Sequence, residues 1–217
     1  MLELKSISKS YTSQVEQIHV LKEIDIFFAP GRLIGIAGPS GSGKTTLLHL
    51  LGAVDSPTGG SILLDGERVP TGSEAFRRKN VGFIFQYFKL LRYLTALENV
   101  MLPLLLNGFS SFDAKRSAIS ALRRLGLESR ASHLPSALSG GEQQRVAIAR
   151  ATVHNPKILI ADEPTGNLDS ENRDTVINLL KSLVVKDRYL FVATHSNEVL
   201  RSCDEVYRLQ LGKLHRC

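Results

Sequence analysis

Gly38-Pro39-Ser40-Gly41-Ser42-Gly43-Lys44-Thr45 is the stretch on which the reading of this chain turns. It fits G-x-x-x-x-G-K-[ST] throughout and lies between an apolar run, Leu33 to Ala37, and a helical one, Thr45 to Leu51. Glycines at this spacing let backbone N–H groups turn inward around phosphate oxygens, and the following helix presents its positive end. A plain strand-to-helix turn needs neither Lys44 nor Thr45. Lys44 is expected to neutralise the β and γ phosphates of a nucleotide, with Thr46 also among the binding residues. The Thr45 hydroxyl is expected to face Mg²⁺, an ion that takes oxygen ligands. The loop alone does not choose among kinases, GTPases, helicases and transport ATPases.

Upstream, Leu2 to Ser10 and Leu21 to Phe28 alternate apolar and polar residues, as two half-buried strands before the Pro30-Gly31 turn would. The wholly apolar Leu33 to Ala37 predicts a strand covered on both faces. Downstream, Ser61 to Leu64 with the Asp65-Gly66 turn, and Val81 to Phe85, read as further strands. From about 87 to 155 the period is helical, clearest in Ala114 to Leu125 with Asp113 as the expected N-cap. Lys157 to Ala161, Leu190 to Ala193 and Val206 to Leu209 return to the strand type, with a helical stretch from Glu171 to Val185. This alternation predicts an α/β chain whose mainly parallel core sheet is covered on both faces. One domain over 1–217 is expected, with its core in 1–86 and 156–217 and a helical lobe at about 87–155.

The strand Lys157 to Ala161 runs into Asp162-Glu163, and buried strands do not normally finish on two carboxylates. Beside a phosphate loop, Asp162 is expected to hold Mg²⁺ through its water shell, and Glu163 to polarise the water that attacks the γ phosphate. The second carboxylate points to hydrolysis.

Leu138-Ser139-Gly140-Gly141-Glu142-Gln143-Gln144-Arg145 resembles the signature motif of ATP-binding cassette (ABC) ATPases, and the resemblance covers essentially the whole chain. Physically, Ser139 and the Gly140 and Gly141 N–H groups at the start of a helix from about Gly141 to His154 make a second anion-attracting end. The resemblance implies its use. Two protomers, expected as a homodimer, face head to tail, and Ser139, Gly140, Gly141 and Glu142 of one close on the γ phosphate held by the other. It further implies a P-loop NTPase fold with an N-terminal antiparallel β subdomain and an inserted α-helical lobe.

Other roles follow from the same resemblance, position by position. Tyr11 falls where the family stacks adenine, and Gln86 where a glutamine reaches Mg²⁺ and water and senses the membrane partner. Asn167-Leu168-Asp169 matches the segment that crosses the dimer interface, and His195 the switch histidine on the γ phosphate. Ser196 stands where many relatives have Asp, and Arg92 where proline is frequent; neither departure removes a catalytic group.

Glu163-Pro164-Thr165-Gly166-Asn167-Leu168-Asp169 and Leu94-Thr95-Ala96-Leu97-Glu98-Asn99-Val100 are similar to bacterial cassettes for lipoprotein release, macrolide efflux, haem efflux and cell division. The implied protein binds and hydrolyses ATP with Mg²⁺ and couples dimer closure to export or mechanotransmission by two separate membrane-spanning permease subunits. Tyr87-Phe88-Lys89-Leu90-Leu91-Arg92-Tyr93-Leu94 puts bulky apolar and basic side chains on a loop, where an interface is expected. That loop, after Gln86, is expected to receive a short helix of the membrane subunit.

Composition sets the outer bounds. The 217 residues, 43% hydrophobic, suffice for one good-sized core, and no apolar run approaches the roughly 18 residues of a membrane helix. The opening MLELKSISKSY has no apolar h-region, and two cysteines, Cys203 and Cys217, make no scaffold or metal pattern. A peripheral position on the cytoplasmic face of the inner membrane is expected. The net charge of +6 keeps nucleic acid as an alternative partner, as for soluble ABC ATPases of DNA repair or the ribosome. Those carry a coiled-coil insertion or a second cassette, which this chain has no room for, so no nucleic acid is expected.

Overall fold

A computed structural model describes residues 1–12 and 16–217. The strands are β1 (Leu2–Thr12), β2 (Gln17–Phe28), β3 (Arg32–Ala37), β4 (Gly59–Leu64), β5 (Glu67–Arg68), β6 (Val81–Phe85), β7 (Ile158–Asp162), β8 (Tyr189–Ala193), β9 (Glu205–Gln210) and β10 (Lys213–Arg216). The helices are α1 (Lys44–Leu51), α2 (Glu74–Asn80), α3 (Ala96–Leu106), α4 (Ser111–Arg124), α5 (Gly140–Thr152), α6 (Ser170–Ser182) and α7 (Asn197–Arg201).

Among the described residues the strands form two sheets. The first is antiparallel, in the order β2-β1-β4-β5; the second runs β10-β9-β3-β8-β7-β6, parallel except for the β9–β10 hairpin. Alternation along β1 explains the first sheet. Leu2, Leu4 and Ile7 turn inward, and they share a core with Ile34 and Ile36 of β3 and Leu47, Leu48, Leu50 and Leu51 of α1. The opposite face of the parallel sheet packs Leu159, Ala161, Leu190 and Val192 against Ile148 of α5 and Val176, Ile177 and Leu180 of α6. Strands covered on both faces in this way carry no polar alternation. Burying one such Leu or Ile side chain contributes about 1.5–3 kcal/mol.

Helices α3, α4 and α5 close a third cluster around Val100, Leu122 and Val146. Gly82 lets α5 lie directly on β6: a Cβ there would meet the Ala151 carbonyl at 2.0 Å. No helix of the described residues is long and apolar enough to cross a membrane.

The structure corrects several local expectations. Ser110, not Asp113, caps α4; its Oγ accepts from the Asp113 backbone N–H at 3.1 Å and donates to the Asp113 carboxylate at 2.7 Å. Asp113 is therefore the third helical residue, completing the cap from inside. The two-stranded start is one side of a four-stranded sheet, with β2 at the edge, since β1 pairs with β4 as well as β2. Helix α6 stops at Ser182, leaving Val185 in the connection to β8. Helices α2 and α7 and strand β10 were not foreseen.

Candidate active site

Every residue singled out in the phosphate loop, the acidic pair, Gln86 and His195 stands at the carboxyl ends of the parallel strands. The loop 38–45 follows β3, Asp162 ends β7, His195 follows β8 and Gln86 follows β6. Ligands of open α/β sheets bind at this edge.

The loop opens α1 without closing it. Its N-cap, Gly43, has φ 100° and makes no side-chain cap bond, so no capping side chain satisfies the first N–H groups of α1. Only glycine suits that place: φ is left-handed and a Cβ would lie 2.7 Å from the Val20 side chain. The Lys44 ammonium folds back onto the Gly38 and Pro39 carbonyls at 2.7 and 3.1 Å. Ser42 Oγ is buried without a partner, one polar atom more than the protein itself satisfies.

Thr45 Oγ1 donates to Asp162 Oδ2 at 3.2 Å. Burial pushes the Asp162 carboxyl above the ordinary range, the neighbouring Glu163 charge acts in the same direction, and the Thr45 hydroxyl opposes both. A half-buried carboxylate beside a second one favours a cation. The oxygens of Thr45 and Asp162 are hard donors of the kind Mg²⁺ prefers, and Gln86, with an amide oxygen, directly follows the adjacent strand β6.

Glu163 takes a left-handed φ of 47° and hydrogen bonds through its backbone N–H to Ala193 O at 2.9 Å. Its carboxylate is held from three sides. Thr194 Oγ1 donates to Oε2 at 3.0 Å, and the backbone N–H of His195 lies 3.1 Å and its Nδ1 2.8 Å from Oε1. The His195 ring is exposed while Glu163 is largely covered. Thr194 was not anticipated; its position before His195 was the available signal. The β7–β8 register, Asp162 opposite Ala193, makes the pairing possible.

Gln86 and Asn167 clasp each other. Gln86 Nε2 donates to Asn167 Oδ1 at 3.2 Å, and Asn167 Nδ2 returns a bond to Gln86 O at 3.1 Å. Asp169 caps α6 by accepting from the Asn172 N–H at 2.8 Å, which also lowers the Asp169 pKa. Tyr11 is 43% exposed, with its hydroxyl on Asp55 at 3.0 Å and the Lys9 ammonium 4.9 Å from its ring centroid.

The second glycine-flanked helix end is self-capped. Ser139 Oγ accepts from the Glu142 N–H at 3.2 Å, and Glu142 Oε2 accepts from the Ser139 N–H at 2.8 Å. The Ser139 N–H first, and Arg130 next at 2.9 Å, hold the Glu142 carboxyl at about 2. Gly141 admits α6: a Cβ there would be 2.0 Å from Asn172 Oδ1. Buried Gln144 then reaches the Pro164 carbonyl at 2.7 Å, tying α5 to the turn after Glu163.

A phosphate loop opening a helix, a half-buried carboxylate on its hydroxyl and a second carboxylate clamped beside it define an ATP-hydrolysing P-loop cassette. The ABC transporter family matches residues 21–166, and the chain belongs to that family. It is 43% identical over 99% of its length to the lipoprotein-releasing system ATP-binding protein LolD of Syntrophotalea carbinolica, covering 96% of that protein. It is 44% identical to LolD of Legionella pneumophila strain Paris, over 99% of this chain and 97% of that one. The dimeric structure of the bacterial ABC transporter cassette MJ0796 superposes with a TM-score of 0.89 at 39% identity, covering 100% of this chain and 97% of the other. A post-hydrolysis dimer of MJ0796 bound to ADP and Pi gives 0.88 at the same identity and the same coverage of both chains. These relatives lend no support to the nucleic-acid alternative.

Proposed function

We propose that this chain is the ATPase of a lipoprotein-releasing type of transporter, working as a homodimer beneath two membrane-spanning permease subunits on the cytoplasmic face of the inner membrane. The observation that carries the hydrolytic reading is the fixed Glu163 carboxylate beside the Thr45–Asp162 pair. Near full-length identity to proteins named for lipoprotein release supports the kind of transporter.

In this reading the 38–45 loop and the α1 N–H groups cradle the β and γ phosphates, and Lys44 leaves its carbonyl partners to meet them. Thr45, Asp162 and Gln86 would hold Mg²⁺. Bound there, the ion would offset charge on the phosphate oxygens as the β–γ bridge breaks. Glu163 orients and polarises the attacking water, Thr194 and the His195 N–H keep its carboxylate in place, and His195 contacts the γ phosphate. Water adds to the γ phosphorus, ADP leaves, and the released proton passes to phosphate and solvent. Tyr11 stacks on adenine once its ring is freed from Lys9. Ser139 and the Gly140 and Gly141 N–H groups of the opposite protomer complete the site, and Asp169 lies at that seam.

The groove for the permease is proposed beside the loop after Gln86. A cavity of about 320 Å³ there is floored by Val81, Phe83, Phe85 and Leu102, with Arg78 and Lys89 also in its lining. Leu106 also lines it, and Tyr87, Leu91 and Tyr93 of the loop are exposed, as are Leu105, Phe109 and Phe112 of the lobe. Phe88 and Leu90 instead pack inward, so Leu91→Glu tests docking without disturbing a core. Unchanged assembly of that variant with the copurifying membrane protein would remove the groove from the proposal.

The hydrolytic reading is tested by Glu163→Gln. ATP affinity should stay within about twofold while turnover falls by about a thousandfold. Substantial hydrolysis by a clean preparation of this variant would overturn the assignment.

A further inference from the structure

Just past Gln86 the backbone does something its sequence does not ask for. Phe88 has φ 57° and Lys89 φ 50°, two successive left-handed residues with neither a glycine nor an asparagine between them. The Lys89 N–H folds onto the Tyr87 carbonyl, closing a three-residue turn of the strained hand around Phe88. Such strain persists only where the surroundings impose it.

The imposing group is Arg150, in the last turn of α5. Its Nη2 donates to Phe88 O at 2.8 Å and its Nη1 to Lys89 O at 2.6 Å, so one guanidinium fork holds both carbonyls of the turn. Burial lowers the Arg150 pKa, and the hydrogen bonds described for its side chain reach carbonyls alone. A desolvated cation spent on two carbonyls is an uncommon arrangement. The turn it pins leads straight back to Gln86, which is clasped to Asn167, two residues before Asp169. The Phe88 ring also lies beside Gly140 at the other end of α5: a Cβ there would be 3.9 Å from Phe88 Cζ.

We propose that Arg150 is a positioning residue for hydrolysis: by stapling the left-handed turn at Phe88–Lys89 it fixes the place of Gln86 relative to Asn167 and the phosphate loop. The inference rests on the proposed role of Gln86 at the metal and water. It assigns Arg150 no contact with nucleotide.

The test uses the full chain and compares Arg150→Gln, Arg150→Lys, Lys89→Gly and the double variant Arg150→Gln with Lys89→Gly. Turnover, KM for ATP and melting temperature are read for each. Arg150→Gln should lower kcat by about tenfold with KM within twofold, because the phosphate loop is untouched while Gln86 drifts. Arg150→Lys, which keeps the charge but one hydrogen bond of the two, should fall between. Glycine adopts the left-handed turn without strain, so adding Lys89→Gly should recover at least half of the lost turnover. Rescue of kcat by a residue that restores no bond to Arg150 is what a merely structural arginine would not give. Unchanged kcat in folded Arg150→Gln, a loss that follows melting alone, or no rescue would each overturn the proposal. If Arg150→Gln does not fold, Arg150→Lys with and without Lys89→Gly decides by the same kcat criterion. Glu163→Gln run alongside separates the two readings, since its loss of turnover does not depend on Arg150.

Discussion

Helices α1 and α5 both begin at glycines on exposed turns, yet their first turns are built to opposite specifications. Helix α1 starts from a left-handed glycine with no side-chain cap and no acidic residue in its first turn, with Lys44 at its mouth and an unpartnered Ser42 hydroxyl below. Helix α5 starts from Ser139 with a complete capping box, an acidic first turn and Arg130 holding the acid. Open N–H groups and a cation bind phosphate unaided. A self-capped end with Glu142 beside it attracts an anion weakly, and is suited to touching a phosphate already held elsewhere. On the proposed reading the difference divides the labour: α1 would supply affinity, and α5 completion of a neighbour's site.

Substitutions at the two ends should therefore fail differently. Lys44→Ala should weaken ATP binding by the single chain by about a hundredfold, measured by equilibrium titration. Ser139→Asp keeps a good N-cap while facing the phosphate with a negative charge. It should leave single-chain ATP binding within about twofold and cut turnover by about fiftyfold. Equal loss of binding in both variants would erase the distinction between the two ends. His195→Ala frees Glu163 Oε1 from its ring contact but leaves the Thr194 and backbone bonds, so turnover should drop by about tenfold with ATP affinity kept.

The smallest effect concerns stability at the α5 end. Glu142 has its carboxyl lowered from 4.5 to about 2, so its contribution is complete above about pH 4.5 and is lost as pH falls toward 2. Glu142→Ala should cost about 1–2 kcal/mol at pH 7, in chemical denaturation, and that deficit should shrink between pH 4.5 and pH 2. A deficit that does not change with pH would mean that packing, not the charge, holds this end.

Much of this was legible before any coordinates because the local signals are strong. Strand β6 spans the residues expected, Val81 to Phe85, since an apolar run between Asn80 and Gln86 leaves little choice of ends. The phosphate loop and Asp162 declare themselves by residue type in a strand-then-helix setting. Local signals misled where two residues offered the same service: Ser110 and Asp113 both cap well, and the backbone chose the earlier one. What lay beyond reach depends on registers between distant segments. Thr194 meets Glu163 only because β8 pairs with β7 one residue before each side chain. Arg150 reads as one more charged residue on a helix until the turn at Phe88 is seen beneath it. The expectation that Tyr87 to Leu94 lies outward as a unit divided in the same way, with Phe88 and Leu90 inside and Tyr87, Leu91 and Tyr93 outside.

The central claim is that the Ser139 end of one chain closes on ATP held by the phosphate loop of another. Sedimentation velocity of the Glu163→Gln chain with saturating ATP tests it most directly, with and without Ser139→Asp added. The account predicts a shift from monomer to dimer that needs ATP, is absent with ADP, and disappears with Ser139→Asp although ATP remains bound. A monomer at saturating ATP, or a dimer indifferent to Ser139→Asp, would contradict it.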